Sequence, residues 1–384
     1  MSYSLAKSVK PFLAMTVLEK ALEMESRGQH VIHLSVGQPD FSPPECVNEA
    51  AKKAISDGHS GYTHSLGILP LREAVAEYYF KEYGVNVSPG QIVITGGSSP
   101  AMLMLFDLLC DNGDEVITGN PGYACYTSVI RHAGGNPVEV PVLEENGFQL
   151  EPAKVAGAIT KKTRAILLNS PSNPAGTLMP RENMAGIAAL CHEESGISLV
   201  SDEIYHGLCY AGRATSALEL APNACVLDGF SKRYAMTGWR LGWMVVPERF
   251  IPVLTALQQN FFICAGSVAQ WAGLAALKEA APDVKRMAAE YDRRRVFMVE
   301  KLKELGFGVK SAPSGAFYVL ADARHLGRES LPLALEILEK ARIGVTPGID
   351  FGSRAEGYLR FSYANSIENI EEAMSRLKKF IETR

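Results

Sequence analysis

The sequence lacks the features that mark several large classes of protein. No apolar run in its 384 residues approaches the ~18–20 residues that a membrane-spanning helix needs. The first fifteen residues, MSYSLAKSVKPFLAM, are too polar and too interrupted by Pro11 for the apolar core of a secretory signal. Low-complexity tracts and internal repeats are also missing. These absences exclude membrane, secreted and repeat proteins and predict a globular chain.

An excess of basic charge is missing too. Lys and Arg number 38 against 42 Asp and Glu, for a formal net charge of −4, which argues against a general nucleic-acid binder because such proteins need a basic face. The seven cysteines form no CxxC pair, so we expect reduced thiols in a cytoplasmic enzyme, with no disulfide scaffold and no metal site. They are Cys46, Cys110, Cys125, Cys191, Cys209, Cys225 and Cys264.

What the sequence does contain is an alternation of short β-branched runs with helical patterns, such as those over 99–111 and 180–195. The alternation predicts an α/β fold whose mostly parallel sheet is covered by helices on both faces. The candidate strands are 91–96, 114–119, 165–170, 198–203, 225–230 and 241–246.

The C-terminal part has a different pattern, in which a long charged helix over about 282–305 precedes short strands and two further helices. A chain of 384 residues also suits two domains. We predict a large domain over 46–285 and a smaller α+β domain built from 1–45 and 286–384.

Ligands of open α/β sheets bind beyond the carboxyl ends of the strands, so the polar residues there are candidate site residues. After strand 91–96, Gly97 precedes Ser98 and Ser99 at the start of a helix. Glycine lets a ligand approach the backbone, and a helix N-terminus binds anions, which favours a phosphate site. An ordinary tight turn is the alternative.

After strand 165–170, Asn173 stands between Pro171 and Pro174. The prolines predict a rigid turn, in which the Asn173–Pro174 bond could be cis, that aims the Asn173 amide at a ligand oxygen. Asp202 ends the strand 198–203 and Tyr205 follows it. A carboxylate buried there must have a cationic or hydrogen-bonding partner. The alternative for Asn173 is a capping turn, and the alternative for Asp202 is a structural salt bridge.

Residues 229–242, GFSKRYAMTGWRLG, place Lys232 after strand 225–230 with Ser231 before it and Arg240 eight residues later. A lysine there can form a Schiff base with an aldehyde, and the planar arginine suits a phosphate. A surface lysine near a helix-end arginine is the alternative. Taken together, the strand ends describe pyridoxal 5′-phosphate: a phosphate at the serines and Arg240, an aldehyde at Lys232 and a ring nitrogen at Asp202.

These motifs resemble those of the class I/II aminotransferases, which have fold type I of the pyridoxal-phosphate-dependent enzymes. GFSKRYAMTGWRLG fits the lysine-attachment signature of that family, and SPSNPAGT, SDEIY and LRFSYA occur in the family's order and approximate spacing. One departure is Gly229, which stands where the family often has a serine that contacts the phosphate. Ser231 is the expected substitute.

The resemblance implies roles for individual residues. Lys232 would be the Schiff-base lysine and the base that moves the proton between the substrate Cα and the cofactor C4′. Asp202 would keep the pyridine nitrogen protonated, while Tyr205 and Asn173 would hydrogen-bond the phenolic oxygen of the cofactor. Tyr123, in NPGYACY, would stack on the ring.

The resemblance also implies how substrate and partner are held. Arg360, in LRFSYA, would bind the substrate α-carboxylate with help from Asn173 and the backbone of Gly37, in LSVGQPDF. Tyr62, in GYTHSLG, would reach the phosphate of a neighbouring subunit, so the family predicts a homodimer with shared active sites.

The expected reaction is a ping-pong transamination from an L-amino acid to a 2-oxo acid such as 2-oxoglutarate. The sequence offers no second basic residue for a distal carboxylate, and apolar side chains at 11–15 and 258–266 favour a neutral, aromatic or aliphatic donor. The alternatives are a pyridoxal-phosphate-dependent carbon–sulfur β-lyase or related synthase on the same fold, and a non-catalytic amino-acid sensor, which would need a fused DNA-binding domain.

Overall fold

The computed structural model describes residues 9–384. Its helices are α1 (Leu13–Ser26), α2 (Glu45–Ser56), α3 (Leu69–Tyr83), α4 (Ser98–Leu109), α5 (Cys125–His132), α6 (Pro152–Ala158), α7 (Arg181–Ala188), α8 (Ile251–Phe261), α9 (Ser267–Glu279), α10 (Ala281–Glu304), α11 (Ser330–Ala341) and α12 (Ile367–Glu382). Its strands are β1 (Ile32–His33), β2 (Ile92–Thr95), β3 (Glu115–Asn120), β4 (Asn136–Pro141), β5 (Thr163–Asn169), β6 (Ser198–Asp202), β7 (Cys225–Gly229), β8 (Gly242–Val245), β9 (Tyr318–Asp322), β10 (Ile343–Gly344), β11 (Thr346–Pro347) and β12 (Tyr358–Ser362).

The central sheet has seven strands in the order β2-β8-β7-β6-β5-β3-β4. All of them run in one direction except β8, which is antiparallel to both of its neighbours. Apolar side chains on both faces of the sheet are buried under helices. The structure therefore confirms the predicted α/β class and the mostly parallel, helix-covered sheet.

Three local expectations were wrong. Strand β4 was not predicted, because its sequence NPVEVP carries two prolines and alternating polar residues, which only an edge strand tolerates. Helix α7 ends at Ala188, short of residue 195. Within residues 9–384 the cis bonds are Asn120–Pro121 and Ser170–Pro171, not Asn173–Pro174. The turn at Asn173 is held by its amide, which donates to Asn169 Oδ1 at 2.7 Å.

A second, antiparallel sheet of order β11-β12-β9 lies in the C-terminal part. The N-terminal segment joins this part, since β1 pairs with β10 in parallel register, Ile32 opposite Ile343 and His33 opposite Gly344. The two segments that we assigned to one small domain are thus hydrogen-bonded to each other. The domain bounds themselves stay a prediction, and residues 1–8 lie outside the described part of the chain.

Two features that bear on function class concern the described residues alone. Within 9–384, no helix has both the length and the apolar character that crossing a membrane requires. Over the same range, no three His, Cys, Asp or Glu side chains come together as a metal site would need. The seven cysteines all have free thiols.

The turn after β5 connects the central sheet to the C-terminal sheet. Gly176 O accepts hydrogen bonds from the amides of Ser314 and Gly315, at 2.9 and 2.8 Å. Gly176 has φ +70°, and a Cβ there would lie 2.7 Å from Tyr318 O and 2.9 Å from Gly315 O. Glycine is required here both for the left-handed backbone and for the close approach of the two sheets.

We expect Gly176→Ala to destabilise the protein more than Gly196→Ala. Gly196 has nearly the same φ, +67°, but no atom within 4 Å of an added Cβ, so it isolates the backbone cost of about 1–2 kcal/mol. The clash at Gly176 should add about 1–3 kcal/mol. Urea denaturation measures both free energies of unfolding, and equal values for the two variants would contradict the packing argument.

Candidate active site

A cavity of about 260 Å³ lies at the carboxyl ends of the central strands, where the C-terminal sheet and the N-terminal segment also contribute side chains. Eleven predicted site residues line it: Gly37, Ser98, Ser99, Tyr123, Asn173, Asp202, Tyr205, Ser231, Lys232, Arg240 and Arg360. The parallel direction of the strands explains this convergence, because it brings their carboxyl ends to one edge of the sheet.

One end of the cavity is built to bind an anion. Helix α4 begins directly after Gly97, whose φ is +103°, and a Cβ there would lie 2.6 Å from Arg240 Nη2. The missing side chain therefore lets the guanidinium lie beside the helix N-terminus, where Arg240 Nη1 donates to Thr237 O at 3.0 Å. The serines of the cavity add hydroxyl groups. Free amides, a helix dipole and a guanidinium together suit a phosphate.

Lys232 lies in the loop between β7 and β8. Its Nζ donates to Gly37 O at 2.6 Å. Burial, and then the charges of Arg360 and Arg240, lower the pKa of Lys232 to about 8. A half-buried lysine beside two arginines loses its proton more readily than an exposed one and can act as a nucleophile and base near neutral pH.

Asp202 ends β6 as a buried carboxylate. It accepts hydrogen bonds from Tyr126 Oη at 2.7 Å and from the Ile204 amide at 3.2 Å. Burial raises the pKa of Asp202 to about 6, although these two bonds and the charge of Lys232 oppose the shift. A carboxylate that is short of positive partners is suited to hold a protonated ring nitrogen.

Tyr205 and Tyr318 line the cavity together with Lys232. Their hydroxyl groups are 2.8 Å apart, and burial raises the pKa of both. Tyr318 also explains why position 37 is a glycine, since a Cβ there would lie 2.0 Å from Tyr318 Oη. Both hydroxyl groups stay protonated near neutral pH; one donates to the other, which leaves one proton to donate to a ligand oxygen.

Arg360, in β12, is buried at the other end of the cavity. Nη1 donates to Asn173 Oδ1 at 2.8 Å, and Nη2 donates to Ser35 O at 2.5 Å and to Thr346 Oγ1 at 3.1 Å. The Tyr318 ring lies 4.2 Å from its Cζ. Its buried Nε has no partner among residues 9–384. An arginine held only by neutral acceptors is ready to bind a carboxylate.

Other predicted residues lie elsewhere in the chain. Tyr62 is 87% exposed and lies outside the cavity. Phe261 and Ile263 are also exposed, and Phe262 packs under the central sheet, so the segment 258–266 does not reach the cavity of its own chain. Segment 11–15 does reach it, through Phe12, Ala14 and Met15.

Sequence reasoning missed Tyr126, Tyr318 and Ser35. Tyr126 could have been found, because it follows Tyr123 by three residues across a tight turn; its amide donates to Tyr123 O at 3.1 Å, and the two ring centroids are 5.2 Å apart. Tyr318 and Ser35 had no local signal, since they come from a strand and a loop that reach the cavity through the packing of distant segments.

Pyridoxal 5′-phosphate fits this arrangement. The absence of a Cβ at Gly97 lets the Arg240 guanidinium lie against the N-terminus of helix α4, and the two together suit the phosphate. Asp202, with its raised pKa, suits the ring nitrogen, and the neutral form of Lys232 suits the aldehyde. Arg360 and its free Nε remain for the carboxylate of a substrate.

Comparisons with known proteins agree with this fit. The sequence model of the family described as "Aminotransferase class I and II" matches residues 29–377. The chain is 40% identical to a (5-formylfuran-3-yl)methyl phosphate transaminase of Methanocaldococcus jannaschii, over 96% of each chain. It is 39% identical to an aspartate/prephenate aminotransferase of Thermus thermophilus, over 98% of this chain and 97% of the relative.

A solved structure extends the likeness to the fold. The aspartate aminotransferase of Thermus thermophilus with maleate superposes with a TM-score of 0.94 at 39% identity, over 99% of both chains. The chain therefore belongs to the class I and II aminotransferases. It is a transferase that uses pyridoxal 5′-phosphate, and the relatives favour transamination over the lyase alternative.

We expect Lys232 of the cofactor-free protein to react with pyridoxal 5′-phosphate at a rate that rises with pH and is half-maximal near pH 8. The neutral amine is the nucleophile, and an ordinary lysine would reach half its maximum near pH ~10.4. Borohydride trapping followed by peptide mass spectrometry measures the rate.

Two comparisons make this result specific. The exposed Lys161 in the same digest serves as the reference amine. Arg360→Met removes one of the two cations beside Lys232, so its midpoint should move to higher pH. A wild-type midpoint near pH ~10 would contradict the account.

Proposed function

We propose that this aminotransferase takes the amino group of a neutral L-amino acid with an aliphatic or aromatic side chain and passes it to a 2-oxo acid. One observation carries the choice of donor. Among residues 9–384, the cations that line the cavity are Lys232, Arg240 and Arg360. Arg240 belongs to the phosphate end, Arg360 binds the α-carboxylate and Lys232 is the base, so none is left over. A distal carboxylate would have no cationic partner, and leaving it unpaired is costly.

The wall that remains for the donor side chain is apolar. Phe12, Ala14 and Met15 lie on one side of the cavity, with Met102 and Tyr123 also lining it. Phe12 and Tyr123 meet edge to face with ring centroids 6.1 Å apart. Such a surface gains free energy by covering apolar groups, which supports a methionine- or phenylalanine-like donor.

Arg360 orients the donor by binding its α-carboxylate. The guanidinium is fixed in advance by Asn173, Ser35 and Thr346, so little rotamer entropy is lost on binding. The Tyr318 ring beneath it holds the guanidinium plane. The carboxylate in turn neutralises one of the charges that lower the pKa of Lys232.

When bound, pyridoxal 5′-phosphate supplies an aldehyde that takes up amino groups and a ring that accepts electrons from the substrate Cα. Lys232 Nζ is the base that removes the proton from Cα, because its lowered pKa leaves it partly neutral near pH 7 to 8. Tyr126 and the Ile204 amide fix the Asp202 carboxylate toward the ring nitrogen.

The acceptor in the second half of the ping-pong reaction is proposed to be a 2-oxo acid such as 2-oxoglutarate, as is usual in the family. Because the three cations of the cavity already have roles, the second carboxylate of 2-oxoglutarate must stay hydrated, and we expect it to bind more weakly than an apolar 2-oxo acid. The scattered free thiols support a reducing, cytoplasmic location.

A homodimer with shared active sites is part of the same proposal. Tyr62 is 87% exposed, and its neighbour Thr63 bonds through its amide to Cys264 Sγ at 3.5 Å. The exposed Phe261 and Ile263 therefore lie close to Tyr62. A cluster of exposed aromatic and aliphatic side chains is typical of an interface, and supports the assignment of Tyr62 to the partner's phosphate.

Single-turnover absorbance changes with phenylalanine, methionine, alanine and aspartate test the donor. We expect phenylalanine and methionine to react with a kcat/KM at least about tenfold above that of alanine, since filling the wall is worth roughly 1.5 kcal/mol or more. Aspartate should be slower than alanine. A clear preference for aspartate would end the apolar-pocket proposal.

Asp202→Ala should retain the cofactor, which Lys232 and the phosphate end still hold, while slowing donor turnover by about three orders of magnitude, or roughly 4 kcal/mol. Tyr126→Phe is the graded control, because it keeps the carboxylate and removes one hydrogen bond; we expect about a tenfold loss. Cofactor absorbance and stopped-flow rates measure both. A mild effect of Asp202→Ala would mean that another acid serves the ring nitrogen.

A further inference from the structure

Helix α1 builds the wall of the cavity but has no cap from its own sequence. The residue before the helix is Phe12, whose side chain has no hydrogen-bond acceptor. Phe12 and Met15, from the first turn, both line the cavity. The geometry of this turn therefore decides how much room a donor side chain has.

Asp350 caps this turn from a distance of 337 residues in the sequence. Its Oδ1 accepts from the Leu13 amide at 2.9 Å, and its Oδ2 accepts from the Ala14 amide at 3.0 Å. Burial raises the pKa of Asp350, while these two bonds and the charge of Arg360 oppose the shift. A carboxylate with two amide bonds at a helix N-terminus is a strong cap.

The segment Gly348–Phe351 that carries Asp350 is itself fixed to the site. The Ile349 amide donates to Ser330 Oγ at 3.1 Å, and Phe351 O accepts from the Gly122 amide at 2.9 Å, next to Tyr123. The Phe351 ring lies 4.8 Å from Arg360 Cζ. We call Gly348–Phe351 the joint, since it touches helix α1, the loop that carries Tyr123, and Arg360.

The later turns of α1 are held by other contacts. Val17 and Ala21 pack against Leu338 of α11, and Lys20 pairs with Glu339 at an exposed position. These contacts lie away from the cavity. Loss of the cap would thus free the first turn while leaving the helix attached.

We propose that Asp350 is a positioning residue that selects donors by side-chain size, because it fixes Phe12 and Met15 over the cavity. The inference rests on the proposed transamination of neutral amino acids. Asp350 itself does not line the cavity, so it acts through the first turn of α1. Binding of donors with large side chains depends on the position of this turn, because they contact the wall. Binding of alanine does not, because its methyl group is too short to contact the wall.

The test compares Asp350→Ala with Asp350→Asn in the holoenzyme, with phenylalanine and alanine as donors. We expect Asp350→Ala to lower kcat/KM for phenylalanine by about fivefold to tenfold, mainly through KM, and to change that for alanine less than about twofold. Asp350→Asn keeps one of the two oxygen acceptors, so it should lie between wild type and Asp350→Ala, within about threefold of wild type for both donors.

Hydrogen exchange of peptides covering α1 gives a readout that does not depend on activity. Asp350→Ala should speed exchange in the first turn by about fivefold or more, and Asp350→Asn should restore protection. Ser366→Ala is the matched control: Ser366 caps α12 by accepting from the Asn369 amide at 3.2 Å, and α12 does not line the cavity. It should leave the phenylalanine-to-alanine ratio unchanged.

An equal loss for both donors would overturn the proposal, as would unchanged exchange in Asp350→Ala. If Asp350→Ala does not fold, Asp350→Ser replaces it, since its hydroxyl lies one bond closer to the backbone and falls short of the two amides; the same shift in donor ratio is expected. If the wild-type enzyme transaminates neither donor, the proposed function fails, while the exchange data still decide whether Asp350 caps the helix.

Discussion

Three cationic side chains line one cavity, and the rest of the site follows from that constraint. Lys232, Arg240 and Arg360 line the cavity together with a single facing carboxylate, Asp202, among the described residues. Burial lowers the pKa of Lys232 most, and the like charges of Arg360 and Arg240 lower it further, to about 8. The site therefore favours ligands that bring anions, a phosphate at one end and a carboxylate at the other.

The loop that carries Lys232 is anchored by a pair of opposite charges beside it. Arg233 Nη2 donates to Asp228 Oδ2 at 2.6 Å, and both side chains are almost fully buried. The Tyr78 ring lies 4.7 Å from the Arg233 Cζ. A buried ion pair is weak evidence for stability but holds its partners in one geometry. The pair fixes the backbone of this turn one residue after Lys232, whose Nζ lies in the cavity and donates to Gly37 O.

The part of the site that sequence could predict is the part that the central strands carry. Lys232, Asp202 and Asn173 follow buried β-branched runs, and strand direction alone brings them together. The edge strand β4 escaped because its prolines and polar residues resemble a loop. Tyr318 escaped for a different reason: its place depends on how the C-terminal sheet packs against the turn at Gly176, which no local pattern encodes.

Some site residues stand on the central sheet, and others come from helix α1. This difference also explains why related enzymes of one fold can differ in substrate. The lysine, the acid and the anion site stand on the central sheet, which the solved relative shares with a TM-score of 0.94. In our proposal the wall for the donor side chain comes from helix α1, whose first turn is held by two hydrogen bonds to Asp350. Changing that wall leaves the sheet undisturbed, so the chemistry and the choice of donor can vary separately. An identity of 39–40% over nearly the whole chain therefore supports the shared reaction, transamination. The choice of donor depends instead on Phe12, Met15 and the contacts that position them.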